Sequence, residues 1–591
     1  MDARDILRQS PLFGGISDAA IDALAAHATL IDVASGEQVF ARGSAPDHIY
    51  IVASGRLRAR LADGRLTSAI PRFDPTGEIS AVLGEPRSAD VHAVRDSVLV
   101  RLPSAALLQT LQAFPEAMLQ LTRIITRRLR QNAMDSTHAL AAAQRRSTLA
   151  VLAATPDDPA RAVATRLCAH LGGGRARLAD AAAIDAALGP GASVLAADAG
   201  SAAQRQLVEH LNAFERHDTP TVYLANPRAD AWTRRCIAQA DRVLVVVDAA
   251  RPAAAGATID MLRASRSHAP VDLVVMRPTA APAPTVLDWR ALCGAGAHYY
   301  LRPDREADFA SLARQLGGRG IGVVLGGGGA RGFAHIGLLR ALQELGIPVD
   351  VAGGSSMGAF FAALLACGRG LDEIEAIARD TFVTRNLLND YVLPTISLIR
   401  GRKFVRHLHE LFGEQRIEAL RLPYFCVTTN LTRGRAAVQD RGPLYLWAAT
   451  SMAVPGVAPP VAYNGELYAD GAVVNSLPTD VMQDLQRGPI IASDVSTEGG
   501  IAAPGVVGPD PEALFRLRDP DAPRLLSILF RTATLTSESG VAQRAARADA
   551  YLRMPVTRVG MFDWKRMDEI VERGYQHALQ QLTPLREQLL R

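Results

Sequence analysis

At 591 residues the chain is too long for one hydrophobic core, so about two to four domains are expected. A hydrophobic content of 48% and a charged content of 21% are ordinary for globular protein, and a net charge of +4 argues against nucleic acid as a partner. The five cysteines (Cys168, Cys236, Cys293, Cys367, Cys426) are odd in number and scattered, which excludes a disulfide framework and a C-x-x-C metal or redox site and fits a reducing compartment. The N-terminus MDARDILRQSPLF has no signal-peptide core, and no apolar run approaches the ~18 residues of a spanning helix. A cytoplasmic protein is expected, one that touches the inner face of a membrane only peripherally if at all.

Residues 1–135 alternate apolar and polar side chains in "EQVFARG", "HIYIVASGRLRARLADG" and "HAVRDSVLVRL", with Gly or Asp-Gly at the turns. A helical pattern follows through Leu107, Leu108, Leu111 and on to Leu129. The expectation is a β-roll with closing helices. Within it, "GEISAVLGEPRSADV" resembles the phosphate-binding cassette of cyclic nucleotide-binding domains. That resemblance implies a turn at Gly77, a ribose contact from Glu78, a cyclic-phosphate contact from Arg87, and a hydroxyl at Ser88 compatible with cyclic AMP or cyclic GMP. The arginines Arg123, Arg127, Arg128 and Arg130 end the following helix pattern, which would be the moving lid; contact with anionic lipid is an alternative for these charges, and a solvated face is the default reading.

Residues 136–160, rich in Ala, Gln and Arg, read as a helical linker. From 161 to 315, buried-strand runs ("TVYLANP", "RVLVVVDAA", "VDLVVMRP") alternate with helical stretches, the pattern of a parallel sheet with crossover helices. This middle α/β domain shows no phosphate loop and no paired catalytic residues, and reads as a spacer. A helix-turn-helix should follow the roll in a cyclic-nucleotide transcription factor; an α/β region stands there instead.

A second α/β unit covers 320–591. It opens with "VVLGGGGARGFAHIG". Gly327, Gly329 and Gly332 satisfy the G-x-G-x-x-G of a dinucleotide fold, and Asp350 ends the next strand where a ribose-binding acid would sit. Ala330-Arg331-Gly332 excludes a Walker loop. The neighbouring segment favours another reading: Gly354-Ser355-Ser356-Met357-Gly358 is a G-x-S-x-G between a strand and the small-residue helix pattern "AFFAALLACG". That is the layout of a nucleophile elbow, with Gly354 and Gly358 permitting the turn and Ser356 facing out. Ser355 is the alternative serine, but only Ser356 has glycine at minus two and plus two.

A serine needs a base. His335, His407 and His409 all lie in helix patterns, and His335 reads as a packing residue. Asp470-Gly471-Ala472 follows a short strand and leaves a carboxylate exposed at a loop, although Asp-Gly is ordinarily only a turn.

"GGGGARG", "GSSMG" and "DGA", in that order, resemble the three blocks of patatin-like phospholipases. "WTRRCIAQADRVLVVVD", "LPYFCVTTNLT" and "LYADGAVVNSLPTDV" extend the likeness to the neuropathy target esterase branch, over roughly residues 200–580. Two departures from that branch stand out: no N-terminal membrane anchor, and one sensor module where animal members carry several. The resemblance implies a Ser356–Asp470 dyad without histidine, no metal and no cofactor, and hydrolysis of phospholipid or lysophospholipid acyl esters, with cyclic nucleotide as a regulator. It assigns the oxyanion to the strip Gly327, Gly328, Gly329, Arg331 and Gly332, chiefly the amides of Gly328 and Gly329. Arg331 would steer a substrate phosphate or brace the loop. Two alternatives stand beside this reading: a cyclic-nucleotide-binding regulatory protein with weak or no lipid hydrolysis, and a dinucleotide-binding oxidoreductase. "LLSILF" (Leu525 to Phe530) and "MFDW" (Met561 to Trp564) are candidate lipid contacts, with packed helices the default.

Overall fold

The computed structural model describes residues 2–14, 16–61, 66–114, 118, 125, 148–195, 202–215, 219–265, 267, 269–277, 286–385, 387, 389–393, 395–496, a few between 508 and 539, and 540–590. Arg123, Arg127, Arg128 and Arg130, and most of Leu525 to Phe530, lie outside the described residues. The chain divides into two compact units that meet in sequence near residue 313.

The first unit begins with the β-roll. Strands β1 (Thr29–Val33), β2 (Gln38–Phe40), β3 (His48–Ser54), β4 (Leu57–Arg60), β5 (Leu66–Ile70), β6 (Pro75–Thr76), β7 (Asp90–Ala93) and β8 (Ser97–Pro103) form two four-stranded antiparallel sheets, ordered β1-β8-β3-β6 and β2-β7-β4-β5. Alternation sends Ile49, Ile51, Val100 and Leu102 inward, where Ile6, Leu7 and Phe13 from the N-terminal helical segment and Leu107 from the helix Ser104–Ala113 meet them.

The middle domain is a six-stranded sheet of β9 (Thr148–Ala153), β10 (Arg177–Ala179), β11 (Thr221–Leu224), β12 (Arg242–Asp248), β13 (Val271–Met276) and β14 (Ala297–Leu301). The order is β10-β11-β9-β12-β13-β14 and every pairing is parallel. This corrects the linker expectation: "TLAVLA" at 148–153, inside the stretch read as helical, is a fully buried central strand. Its alanines favour helix in isolation, and flanking strands override that weak preference. Buried ion pairs join roll and middle domain, Arg56 with Asp241 and Arg95 with Glu215, and Asp241 also accepts Thr148 N at 2.8 Å.

The second unit contains β15 (Gly322–Leu325), β16 (Val351–Ser355), β17 (Tyr424–Asn430), β18 (Arg435–Gln439), β19 (Val461–Tyr463), β20 (Glu466–Asp470), β21 (Ile490–Asp494) and β22 (Ala550–Arg553). They run β19-β20-β17-β16-β15-β21-β22, with β18 also on β17. β17, β16, β15, β21 and β22 are mutually parallel; β18, β19 and β20 are antiparallel additions at one side. Strands β15, β16, β17 and β21 are buried along their whole length, as a sheet covered on both faces requires. The helices Ala334–Glu344 and Met567–Leu582 cross at Gly337 and Gly574, where a Cβ at Gly574 would come within 2.6 Å of Ala334 O. Asp350 is fully buried, paired with Arg314 through two contacts of 2.9 and 2.7 Å and accepting Ile321 N at 2.9 Å. It is a structural anchor, which removes the ribose-binding acid that the dinucleotide reading needs.

Candidate active site

The elbow is set by backbone geometry. β16 ends at Ser355, the helix Met357–Ala366 starts two residues on, and Ser356 between them has φ 53° and ψ −124°. A non-glycine residue in that region is strained by about 1–3 kcal/mol and persists only where its surroundings enforce it. Here they do. A Cβ at Gly354 would lie 2.7 Å from Leu325 O, and one at Gly358 would overlap the same carbonyl. The two flanking glycines are therefore the residues that let the helix pack directly against β15. Ser355 points the other way: it is fully buried and its hydroxyl has no hydrogen-bond partner among the described residues, so it is not the exposed alcohol.

Sheet register brings the carboxylate to the serine. Ser355 stands opposite Val427 on β17, and the next residue, Thr428, stands opposite Asp470 on β20. Ser356 Oγ donates to Asp470 Oδ2 at 2.6 Å. The other carboxylate oxygen accepts Ala472 N at 2.8 Å. Asp470 N donates to Ala453 O at 2.9 Å and Asp470 O accepts Thr429 Oγ1 at 2.8 Å, so the residue is held at both ends. Against the loop expectation, this carboxylate is fully buried, and burial pushes it up to about 7 while the bonds from Ser356 and Ala472 oppose the rise.

The glycine strip follows β15. Gly328 N and Gly329 N donate no hydrogen bond among the described residues. Gly327 differs: its amide donates to Ser476 O at 3.0 Å, which removes it from the expected donor set. Its function is clearance, since a Cβ there would lie 2.9 Å from Ala472 Cβ and 3.1 Å from Ser356 Cβ. Gly332 is also a packing glycine, lying against Met357. Arg331 is partly buried and its Nε donates to Val559 O at 3.0 Å, a bond that braces the strip. Met561 O accepts Ala330 N at 2.8 Å, and Trp564 stacks on Phe382 with centroids 5.0 Å apart. In "MFDW", Met561 and Trp564 thus buttress the strip, while Phe562 is 42% exposed.

His335 is not the base. Its Nε2 donates to Gly326 O at 2.8 Å, which leaves Nδ1 to accept Ser493 Oγ–H at 2.9 Å, and burial lowers its pKa to about 4. The neutral imidazole ties β21 to the strip. Ser451, which no motif flags, accepts Ser356 N at 2.9 Å and donates to Val427 O at 2.7 Å. A serine inside an Ala-rich helix segment carries no sequence signal of that kind, and neither does Thr429.

In the roll, Gly77 takes φ 83° ahead of the helix Glu78–Leu83. Glu78 and Arg87 are both buried, whereas Ser88 is exposed. Arg87 lies over the Phe40 ring, 4.3 Å from its centroid, and donates to Gly77 O at 2.8 Å and to His48 O. Its Nε has no partner and no carboxylate pairs with it among the described residues.

Three family models match the chain: a cyclic nucleotide-binding domain over residues 30–114, a neuropathy target esterase family P-loop like domain over 145–290, and a patatin-like phospholipase over 323–482. Patatin-like phospholipase domain-containing protein 7 of Rattus norvegicus is 31% identical over 619 residues, covering 93% of this chain and 45% of that protein. The corresponding protein 6 of Homo sapiens is 30% identical, covering 92% and 44%. The chain therefore spans about half the length of these mammalian relatives. An uncharacterized NTE family protein of Mycobacterium tuberculosis is 31% identical over 586 residues, covering 97% of this chain and 95% of that one. With likeness over nearly the full length of both chains, and all three domain models in family order, this chain belongs to the neuropathy target esterase family of patatin-like phospholipase proteins.

Proposed function

We propose that the chain is a serine hydrolase of phospholipid or lysophospholipid acyl esters, working through Ser356 and Asp470 alone. The observation that carries this reading is the 2.6 Å bond from Ser356 Oγ to a buried Asp470, at an elbow whose backbone is strained. Ordinary aspartate, at about 3.9, is a weak base near neutrality, and a carboxylate raised to about 7 is matched to the task. Asp470 takes the hydroxyl proton as Oγ attacks the ester carbonyl. The uncommitted amides of Gly328 and Gly329 receive the developing oxyanion; one such donor is worth about 3 kcal/mol in a transition state. Collapse returns the proton to the leaving alcohol and leaves an acyl-Ser356. Water, deprotonated by Asp470, then releases the fatty acid.

The test is covalent labelling by a fluorophosphonate together with fatty-acid release from phosphatidylcholine and lysophosphatidylcholine. Wild type should label and hydrolyse; Ser356→Ala should do neither. Equal fatty-acid release by Ser356→Ala would overturn the assignment.

Regulation by cyclic AMP or cyclic GMP at Arg87 and Glu78 is the second element. It is favoured by a buried guanidinium that forms no ion pair among the described residues. A cyclic phosphate there would replace the carbonyls of Gly77 and His48 as its partner. Titration calorimetry with each nucleotide tests it, and no heat at millimolar ligand would leave the roll as a scaffold.

A further inference from the structure

Among the described residues, the most exposed large apolar side chains of the second unit stand together on one loop. Tyr391, Leu393 and Ile396 are 76%, 83% and 73% exposed. The loop that carries them is not frayed: Val392 N donates to Leu398 O, Arg400 N to Asp390 O, and Tyr391 bridges Ile399. Presenting three large apolar groups to water on a backbone so tied costs free energy that burial elsewhere would recover.

The charge beside the loop identifies what recovers it. The next element is the helix Arg402–Phe412, strongly amphipathic, which buries Phe404, Leu408 and Phe412. Arg400, Arg402 and Arg406 are exposed, and none has a carboxylate partner among the described residues. Lys403, one of only two lysines in the chain, bonds the neutral Asn389. Two of these cations sit in the helix's first turn, where the backbone dipole disfavours positive charge. Asp390, at that end, is engaged with the amides of Gly401 and Lys403. A cavity of about 420 Å³ opens among Arg400, Arg402, Arg406, His409 and Tyr445, with His409 paired to Glu414 at its side.

We infer that this tip is a docking surface for an anionic phospholipid bilayer, with Tyr391, Leu393 and Ile396 entering the acyl boundary and the arginine cluster meeting lipid phosphates. Apolar anchors combined with unpaired cations are what interfacial binding needs, each cation near an anionic leaflet being worth about fivefold in affinity. The placement also serves the site. Leu398 N and Ile399 N donate to Gly456 O and Val457 O, a segment that begins just after Ser451 and Ala453, the partners of Ser356 N and Asp470 N. The inference rests on the lipid-ester reading for its purpose, but its test does not need turnover.

The experiment is co-sedimentation of the Ser356→Ala chain with phosphatidylcholine vesicles, with and without about one-third phosphatidylglycerol. Binding is expected only with the anionic lipid, and should weaken steeply from about 0.05 to 0.5 M salt. Arg400→Gln, Arg402→Gln and Arg406→Gln combined should reduce it roughly a hundredfold, and Tyr391→Ser, Leu393→Ser and Ile396→Ser combined about tenfold or more. Circular dichroism melting of each variant checks its fold. A Ser356→Ala chain that stays in the supernatant with anionic vesicles, or unaltered binding by either triple variant, would overturn the proposal. So would a dimer that the apolar triple variant dissolves, which would assign the tip to a second copy. Failure of the wild-type chain to hydrolyse phospholipid or lysophospholipid, with vesicle binding retained, would instead overturn the esterase reading alone.

Discussion

Strands β9 and β15 hold equivalent posts in two different parallel sheets. Each is the strand from which the chain builds first to one side and then to the other, the switch point at which such sheets usually take their ligands. Their following loops use backbone amides in opposite ways. After β15, glycines keep side chains away and the amides of Gly328 and Gly329 stay uncommitted. After β9, Asp158 turns its carboxylate into the loop, where it accepts Thr155 N at 2.7 Å, Thr155 Oγ1 at 2.9 Å and Asp248 N at 3.1 Å. The protein supplies its own anion there. One architecture thus gives a loop ready for an incoming negative charge and another already satisfied, and the difference lies in which side chains are present rather than in topology.

The strongest way to break the comparison is to remove the groups that face the open loop. Ser356→Ala should lower ester hydrolysis by about a thousandfold or more, read as released fatty acid. Asp470→Asn should be comparably inactive, and the double variant no worse than either single one, because the two act as a unit. The same Asn substitution has a second expected effect. The folded pKa of Asp470 is raised, so its stabilising contribution is present at low pH and is lost as pH rises through about 7. Asp470→Asn should therefore melt above wild type at pH 9, by a margin on the order of 3 kcal/mol, and lose that advantage toward pH 5. In the wild type, kcat/KM for a neutral ester should rise with pH through an apparent pKa near 7; a profile flat between pH 5 and 9 would remove Asp470 as base. The smallest expected effect is at the closed loop. Asp158→Ala leaves its amide donors without an acceptor, costing about 1–3 kcal/mol locally. Hydrogen exchange at Thr155 and Asp248 should accelerate while fluorophosphonate labelling of Ser356 persists.

The open loop was legible in the sequence because its requirements are steric. Four glycines and a G-x-S-x-G leave few alternatives when backbones must pass within van der Waals contact. Asp470 was legible only through family likeness, since its meeting with Ser356 depends on register across β16, β17 and β20, which no local pattern encodes. Strand β9 was obscured by its alanines. The apolar tip at Leu393 was passed over for "MFDW", because hydropathy marks a side chain as apolar without saying whether a partner covers it. Trp564 has such partners in Phe333 and Phe382, and Leu393 stands in solvent.

The buttress behind the glycine strip comes from far along the chain. Val559 and Met561 hold Arg331 and Ala330, and the helix Met567–Leu582 then locks against Ala334–Glu344. The patatin match ends at residue 482, before any of these parts. A fragment cut to that match would own both Ser356 and Asp470 yet lack the segment that braces the glycine strip beside them. During synthesis the same dependence imposes an order: until the segment through Leu582 has left the ribosome, the glycine strip stands without the residues that hold Ala330 and Arg331 in place.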